Sequence, residues 1–93
     1  MPQQQLRIIE EYQYFKALTI TAEAVVRYYA DIASKDAIIP HDEEVTLVQA
    51  ADFLIKEARR CKKLLPNMDV GVLHSDLDAA EQKLNRLKRI RRA

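Results

Sequence analysis

Residues that interrupt helices are so scarce in this chain that three long segments are left unbroken. The 93 residues include one glycine, Gly71, and three prolines, Pro2, Pro40 and Pro66. Glycine and proline are the residues least compatible with a helix interior, and Pro2 stands at the very start. Within each segment, apolar residues recur every three or four positions, which is the period of a helix. The sequence therefore predicts an all-α protein with one domain over residues 1–93.

The first helix is predicted over residues 6–34, without a break at the β-branched residues Thr19 to Thr21. Its main apolar seam consists of Ile8, Phe15, Leu18, Ala22, Val25, Tyr29 and Ile32, with a flanking row of Tyr12, Thr19, Val26 and Ala33. Charges of alternating sign follow at four-residue steps on the opposite side, at Glu23, Arg27, Asp31 and Lys35. This arrangement is typical of a helix with one buried and one solvated face.

The second helix is predicted over residues 42–65 and the third over residues 69–91. Asp42 resembles an N-cap, and Asn67 or Asp69 would cap the third helix, unless that helix begins later at a Ser75 cap. The predicted seam of the second helix is Leu47, Ala51, Leu54, Ala58, Cys61 and Leu65, widened by Val48 and Ile55. The predicted seam of the third is Val70, Leu73, Leu77, Ala80, Leu84 and Leu87, with the heptad spacing of a coiled coil.

Both connections between the predicted helices are short, and short connections join antiparallel neighbours. The sequence therefore favours an up-down-up antiparallel three-helix bundle with a long first helix. In this topology the acidic start of helix two, including Glu43 and Glu44, lies beside the basic end of helix three. The first helix is long enough to overhang the other two, and we expect it to form a homodimer contact.

No residue pattern in the chain indicates catalysis, a cofactor or a metal. His41 and His74 would lie at opposite ends of the bundle, and zinc needs three or four ligands. Cys61 lies on an apolar seam, which favours a buried thiol over a reactive one. One glycine is too few for a phosphate-binding loop. We therefore expect a non-enzymatic protein without a cofactor.

Large apolar residues that the seams do not use indicate a protein-binding surface. Tyr14, Ile20, Tyr28 and Phe53 lie outside the predicted core, and apolar surface rich in tyrosine is common at interfaces. The leading hypothesis is a small interaction module of the adaptor, inhibitor, immunity or chaperone type. It would act by binding a protein partner, with a homodimer as the simplest arrangement.

The basic C-terminal end, residues 83–93, supports an alternative hypothesis. It carries Arg86, Arg89, Arg91 and Arg92 and contains no acidic residue, so it could contact nucleic-acid phosphates or an acidic protein or lipid surface. The competing interpretation is a solvated helix end that complements its own dipole and the acidic start of helix two. No nucleic-acid recognition motif accompanies these arginines.

The remaining sequence features are typical of a cytoplasmic protein. The formal net charge is +1, which creates no strong field toward nucleic acid or membrane. No apolar run is long enough to span a membrane, and the first residues lack the pattern of a secretory signal. The single cysteine excludes an intramolecular disulfide.

Overall fold

The protein is an all-α bundle of three helices that pack into one body. The structure is a computed structural model that describes residues 2–35, 38–65 and 71–91, with side chains from residue 9 onward. Helix α1 spans Pro2–Ser34, α2 spans His41–Lys63 and α3 spans Gly71–Arg91. The predicted all-α class and the number of helices are confirmed.

Helix α1 is continuous through Thr19 to Thr21, as predicted, but it begins at Pro2 rather than at residue 6. Proline is well suited to the first position of a helix, because its missing N–H would have no partner there and its φ is already helical. The glutamines that follow are good helix formers. With 33 residues, α1 is about 50 Å long at 1.5 Å per residue, and it sets the 54 Å length of the molecule.

Helix α2 begins one residue earlier than predicted and ends two residues earlier. Pro40, and not Asp42, is the N-cap residue: its backbone is extended, and its carbonyl oxygen accepts the N–H of Glu44 at 3.0 Å. Asp42 therefore lies inside the first turn. At the other end the helix stops at Lys63, because a residue that precedes a proline, here Leu65, disfavours the helical backbone.

Helix α3 begins at Gly71, which rules out the later start at Ser75. The predicted start at residue 69, the caps Asn67 and Asp69 and the seam residue Val70 lie outside the described residues.

The core follows the predicted seams of α2 and α3. Its side chains are at most 7% exposed: Phe15, Leu18, Ala22, Val26, Tyr29, Ile39, Ala51, Ile55, Ala58, Cys61, Leu65, Leu77, Ala80 and Leu84. Ile39 belongs to the connection before α2 and was not predicted as a core residue. The thiol of Cys61 is free and buried, and burial raises its pKa.

On α1 the buried face is rotated relative to the predicted seam. Val26 and Thr19, both from the flanking row, are fully buried, whereas Val25 is only partly buried. The cause is that α1 packs against two helices, and Val26 borders the groove where α1 meets Ala79 and Ala80 of α3. Both Val26 and Thr19 belong to the flanking row that the sequence predicts as a widening of the seam.

Candidate protein-interaction surface

The structure leaves all four residues of the predicted interface exposed. We refer to Tyr14, Ile20, Tyr28 and Phe53 as the apolar set. Their exposed fractions are 47%, 52%, 59% and 63%. Three of the four lie on α1 and the fourth lies on α2. They form one surface only where the two helices bring their outward-facing residues together.

The outward-facing residues concerned form one row on α1 and one row on α2. Tyr14, Thr21 and Tyr28 are seven residues apart on α1, and all three are exposed. Thr46, Phe53 and Arg60 are seven residues apart on α2, and all three are also exposed. Residues seven apart lie two turns apart on nearly the same face of a helix.

The two rows come together near one end, and an electrostatic interaction links them near the other. Tyr28 lines a groove together with Thr46 and Leu47. The pKa of Arg60 is raised chiefly by its hydrogen bonds to Glu57. Tyr14 adds a smaller electrostatic effect in the same direction. One row thus meets the other at Tyr28, and Tyr14 lies within electrostatic range of Arg60.

The outward side of α1 also carries a stripe without charge. Gln13, Ala17, Ile20 and Ala24 are all exposed and are spaced by four, three and four residues, which is the spacing of a helix–helix seam. We call these four residues the outer stripe. Its two alanines are small enough to let another helix approach closely.

At the start of α2, one carboxylate joins all three helices. Tyr29 Oη on α1 donates a hydrogen bond to Glu44 Oε2 on α2 at 2.6 Å, and Arg91 Nε on α3 donates to the same oxygen. The Arg91 and Tyr29 hydrogen bonds lower the pKa of Glu44. Burial, followed by the bond to Glu44, raises the pKa of Tyr29 to about 12. In this junction the charge of Glu44 is offset by that of Arg91.

Sequence reasoning placed Glu44 and Arg91 at the same end of the bundle but did not identify Tyr29 as their shared partner. A signal was present: Arg91 occupies the position where the heptad pattern of α3 calls for an apolar residue. A charged residue at such a position requires an acidic partner from a neighbouring helix.

Ion pairs continue along the contact between α2 and α3. Lys88 Nζ lies 2.8 Å from Asp52 Oδ1. Arg59 bridges Asp78 and Glu81 at 2.8 and 2.6 Å, and its hydrogen bond is the main cause that lowers the pKa of Asp78. The α2–α3 contact is therefore edged by matched charges.

One ion pair, that of Arg91, removes a residue from the candidate phosphate contact at the C-terminal end. Arg91 is held by Glu44 and is not available in the way the nucleic-acid hypothesis requires. Arg86 and Arg89 are exposed, and neither forms an ion pair with any residue the structure describes. Arg92 lies outside the described residues.

The two histidines do not come together. His41 is exposed at the start of α2. His74 lies on α3. Its Nδ1 is 2.7 Å from Lys62 Nζ, and its Nε2 is 3.2 Å from Asp78 Oδ2. Among the described residues, no group of three or more His, Cys, Asp or Glu side chains is arranged to hold a metal ion.

None of the helices in the described part of the chain combines the length and apolar character that crossing a bilayer requires. No protein-family model matches the chain, and neither the curated proteins nor the solved structures gave a match.

Proposed function

We propose that this protein is a non-catalytic interaction module that binds a protein partner through the side of the bundle formed by α1 and α2. The bundle would have the up-down-up topology, and a homodimer would be the simplest assembly. The observation that carries the proposal is the exposure of the apolar set on two helices whose outward rows come together where Tyr28 and Thr46 line one groove.

The topology is supported by which residues pair. Between α1 and α2, Tyr29 bonds to Glu44 and Tyr14 lies near Arg60, so a later residue on one helix meets an earlier residue on the other. Between α2 and α3 the same order holds, because Glu44 meets Arg91 and Arg59 meets Asp78. Such reversed pairing is expected when consecutive helices run antiparallel.

The antiparallel arrangement of α1 and α2 puts three members of the apolar set, Tyr14, Tyr28 and Phe53, along one side of the bundle, while Ile20 lies on the outer stripe of α1. With Tyr28 beside Thr46 and Tyr14 beside Arg60, the middle residues of the two rows, Thr21 and Phe53, face each other. The aromatic residues then lie along one side of the bundle, with charged residues at both ends: Asp42 and Glu43 near Tyr28, and the Arg60–Glu57 pair near Tyr14. Large aromatic side chains in the centre of a patch contribute most of the binding energy at protein interfaces.

The test is capture of partners with a tagged full-length chain from the lysate of its own host, with Tyr28→Asp as the principal variant. A buried carboxylate at an apolar interface is costly, so we expect this variant to lose the protein that the wild type captures. Circular dichroism should show the helices intact, because Tyr28 is exposed.

Ile90→Asp is the matched control. Ile90 is 64% exposed on α3 and away from the α1–α2 side, so this variant should retain the partner. If Tyr28→Asp and the wild type capture the same proteins in the same amounts, the proposed surface is wrong.

The alternative function, nucleic-acid binding through the basic end, is separated by nuclease treatment and by an Arg86→Glu/Arg89→Glu double variant. A captured partner that disappears with nuclease and with this double variant would support the alternative. Binding through phosphates would also fall steeply with salt.

A further inference from the structure

We propose that the outer stripe of α1 binds the same stripe of a second copy of this protein, with the two α1 helices antiparallel and residue i of one helix facing residue 37 − i of the other. This inference rests on the proposed function and names the partner. The register follows from the sizes and charges of α1 residues that lie outside the core.

The outer stripe is self-complementary in size in this register. Ile20 faces the partner's Ala17, and Ala17 faces the partner's Ile20. Ala24 and Gln13 face each other in the same way. A large residue thus meets a small one in each central layer, which is how side chains of two closely packed helices interdigitate.

Charges at the borders of the stripe are complementary in the same register. Antiparallel helices bring the same edge of each stripe together, so Lys16 lies beside the partner's Glu23, and Glu23 beside the partner's Lys16. At the ends of the stripe, Glu10 faces the partner's Arg27. Because of the two-fold symmetry each of these pairs occurs twice, giving four pairs of opposite sign.

None of these four side chains is engaged elsewhere among the described residues. The ion pairs found there do not include Glu10, Lys16, Glu23 or Arg27. Glu23 and Arg27 border the groove between α1 and α3, at the edge of the stripe. Their charges are therefore available to a second copy.

Other arrangements of two α1 helices lack this match. A parallel, in-register pair would place Arg27 opposite the partner's Arg27 and Glu10 opposite the partner's Glu10. Sliding the antiparallel pair by one heptad would place Glu23 opposite the partner's Glu23. Like charges in direct opposition are destabilising and select against an arrangement.

The same register also uses the aromatic residues. On the other edge of the stripe, Tyr14 of the partner reaches Thr21, which lies beside Phe53 in the proposed topology. The contact would thus extend from α1 onto α2 and include members of the apolar set from both copies. An interface built on little more than one helix face is small beside the roughly 1,200 Å² of a stable complex, so we expect a reversible dimer.

The experiment is sedimentation equilibrium of the full chain over a range of concentrations at low salt, with Lys16→Glu and Glu23→Lys as separate variants. Each single change converts two attractive pairs into two repulsive ones. We expect each to lower the dimerisation constant by about ten-fold, since exposed pairs contribute modest energies individually.

Two combinations should restore the dimer. The double variant Lys16→Glu/Glu23→Lys regenerates both pairs with reversed signs, and an equimolar mixture of the two single variants forms a heterodimer in which every such pair is attractive. Arg86→Glu is the control, because it makes the same change of charge at an exposed site on α3 and should leave the constant unchanged. Circular dichroism checks that each variant is folded.

A wild type that stays monomeric at all concentrations would overturn the inference. So would a dimer that the single variants do not weaken, or one that neither combination restores. These results would leave the proposed function standing, because that function depends on the partner lost with Tyr28→Asp. Failure of both tests would remove the function as well.

Discussion

At the scale of single residues, one buried polar side chain has no hydrogen-bond partner. Thr19 lies on α1 and is fully buried, and its Oγ1 forms no hydrogen bond within the described part of the chain. Thr21, two residues later, is exposed, and its Oγ1 donates to the carbonyl oxygen of Ala17 at 2.7 Å. The two threonines thus provide a matched pair for measuring what an unsatisfied hydroxyl costs.

We predict that Thr19→Val stabilises the protein by about 1 kcal/mol, because it removes a hydroxyl that was desolvated without compensation. Threonine and valine have similar helix propensities, so the change isolates the hydroxyl. Urea denaturation gives the free energy of unfolding. Thr21→Val should bring no such gain, and a loss of stability in Thr19→Val would mean that its hydroxyl does have a partner.

The junction of three helices predicts a specific dependence on alkaline pH. The pKa of Tyr29 is raised from 10.0 to about 12 in the folded protein, so the unfolded chain loses this proton first as the pH rises. The stability that the buried neutral phenol contributes is therefore complete below pH 10 and is lost progressively between about pH 10 and pH 12.

Tyr29→Phe should cost about 1–2 kcal/mol near neutral pH, since it removes a hydrogen bond to a carboxylate. The difference in the free energy of unfolding between wild type and variant should shrink between pH 10 and pH 12. Denaturation at a series of pH values measures it. A difference that stays constant across this range would contradict the bond to Glu44.

At the scale of helices, α3 depends on few core residues. Leu77, Ala80 and Leu84 are its buried side chains, while Leu73 and Leu87 are partly buried against the core. Each large residue of the seam therefore carries a substantial share of the packing of this helix.

Leu77→Ala should destabilise the protein by roughly 2–5 kcal/mol, because it removes buried methyl groups and leaves a cavity. Val72→Ala on the same helix is the control: Val72 is 77% exposed, and its truncation should change stability by less than about 0.5 kcal/mol. Thermal or urea unfolding compares the two. Similar effects for both would mean that α3 does not bury its seam.

At the scale of the whole molecule, periodicity predicted which helices form and most of the core, because each of α2 and α3 buries a single well-marked seam. On α1 it predicted a stripe that includes Val26 and Thr19, but not that these two residues of the flanking row are fully buried while Val25 of the main seam is only partly buried. Val26 borders the groove between α1 and α3. Ile39 is buried although it belongs to no helix, and helix periodicity carries no information on such positions.

The candidate surface was predictable in its residues but not in its continuity. A helical wheel of α1 or α2 alone identifies Tyr14, Ile20, Tyr28 and Phe53 as outward-facing. Only the contacts between the helices indicate which outward rows meet. The ion pair of Arg91 is likewise not predictable from α3 alone, because its partner Glu44 lies 47 residues away in the chain.

The ion pairs between α2 and α3 affect how readily α3 separates from the rest of the bundle. The backbones of these two helices approach each other along less of their length than either approaches α1, and the pairs at their edges are partly exposed, so salt screens them. Local opening begins where apolar contacts are fewest, so we expect α3 to be the first helix to detach. Ionic strength then sets how often α3 lifts away, uncovers Val26 and exposes its own amides to exchange with solvent.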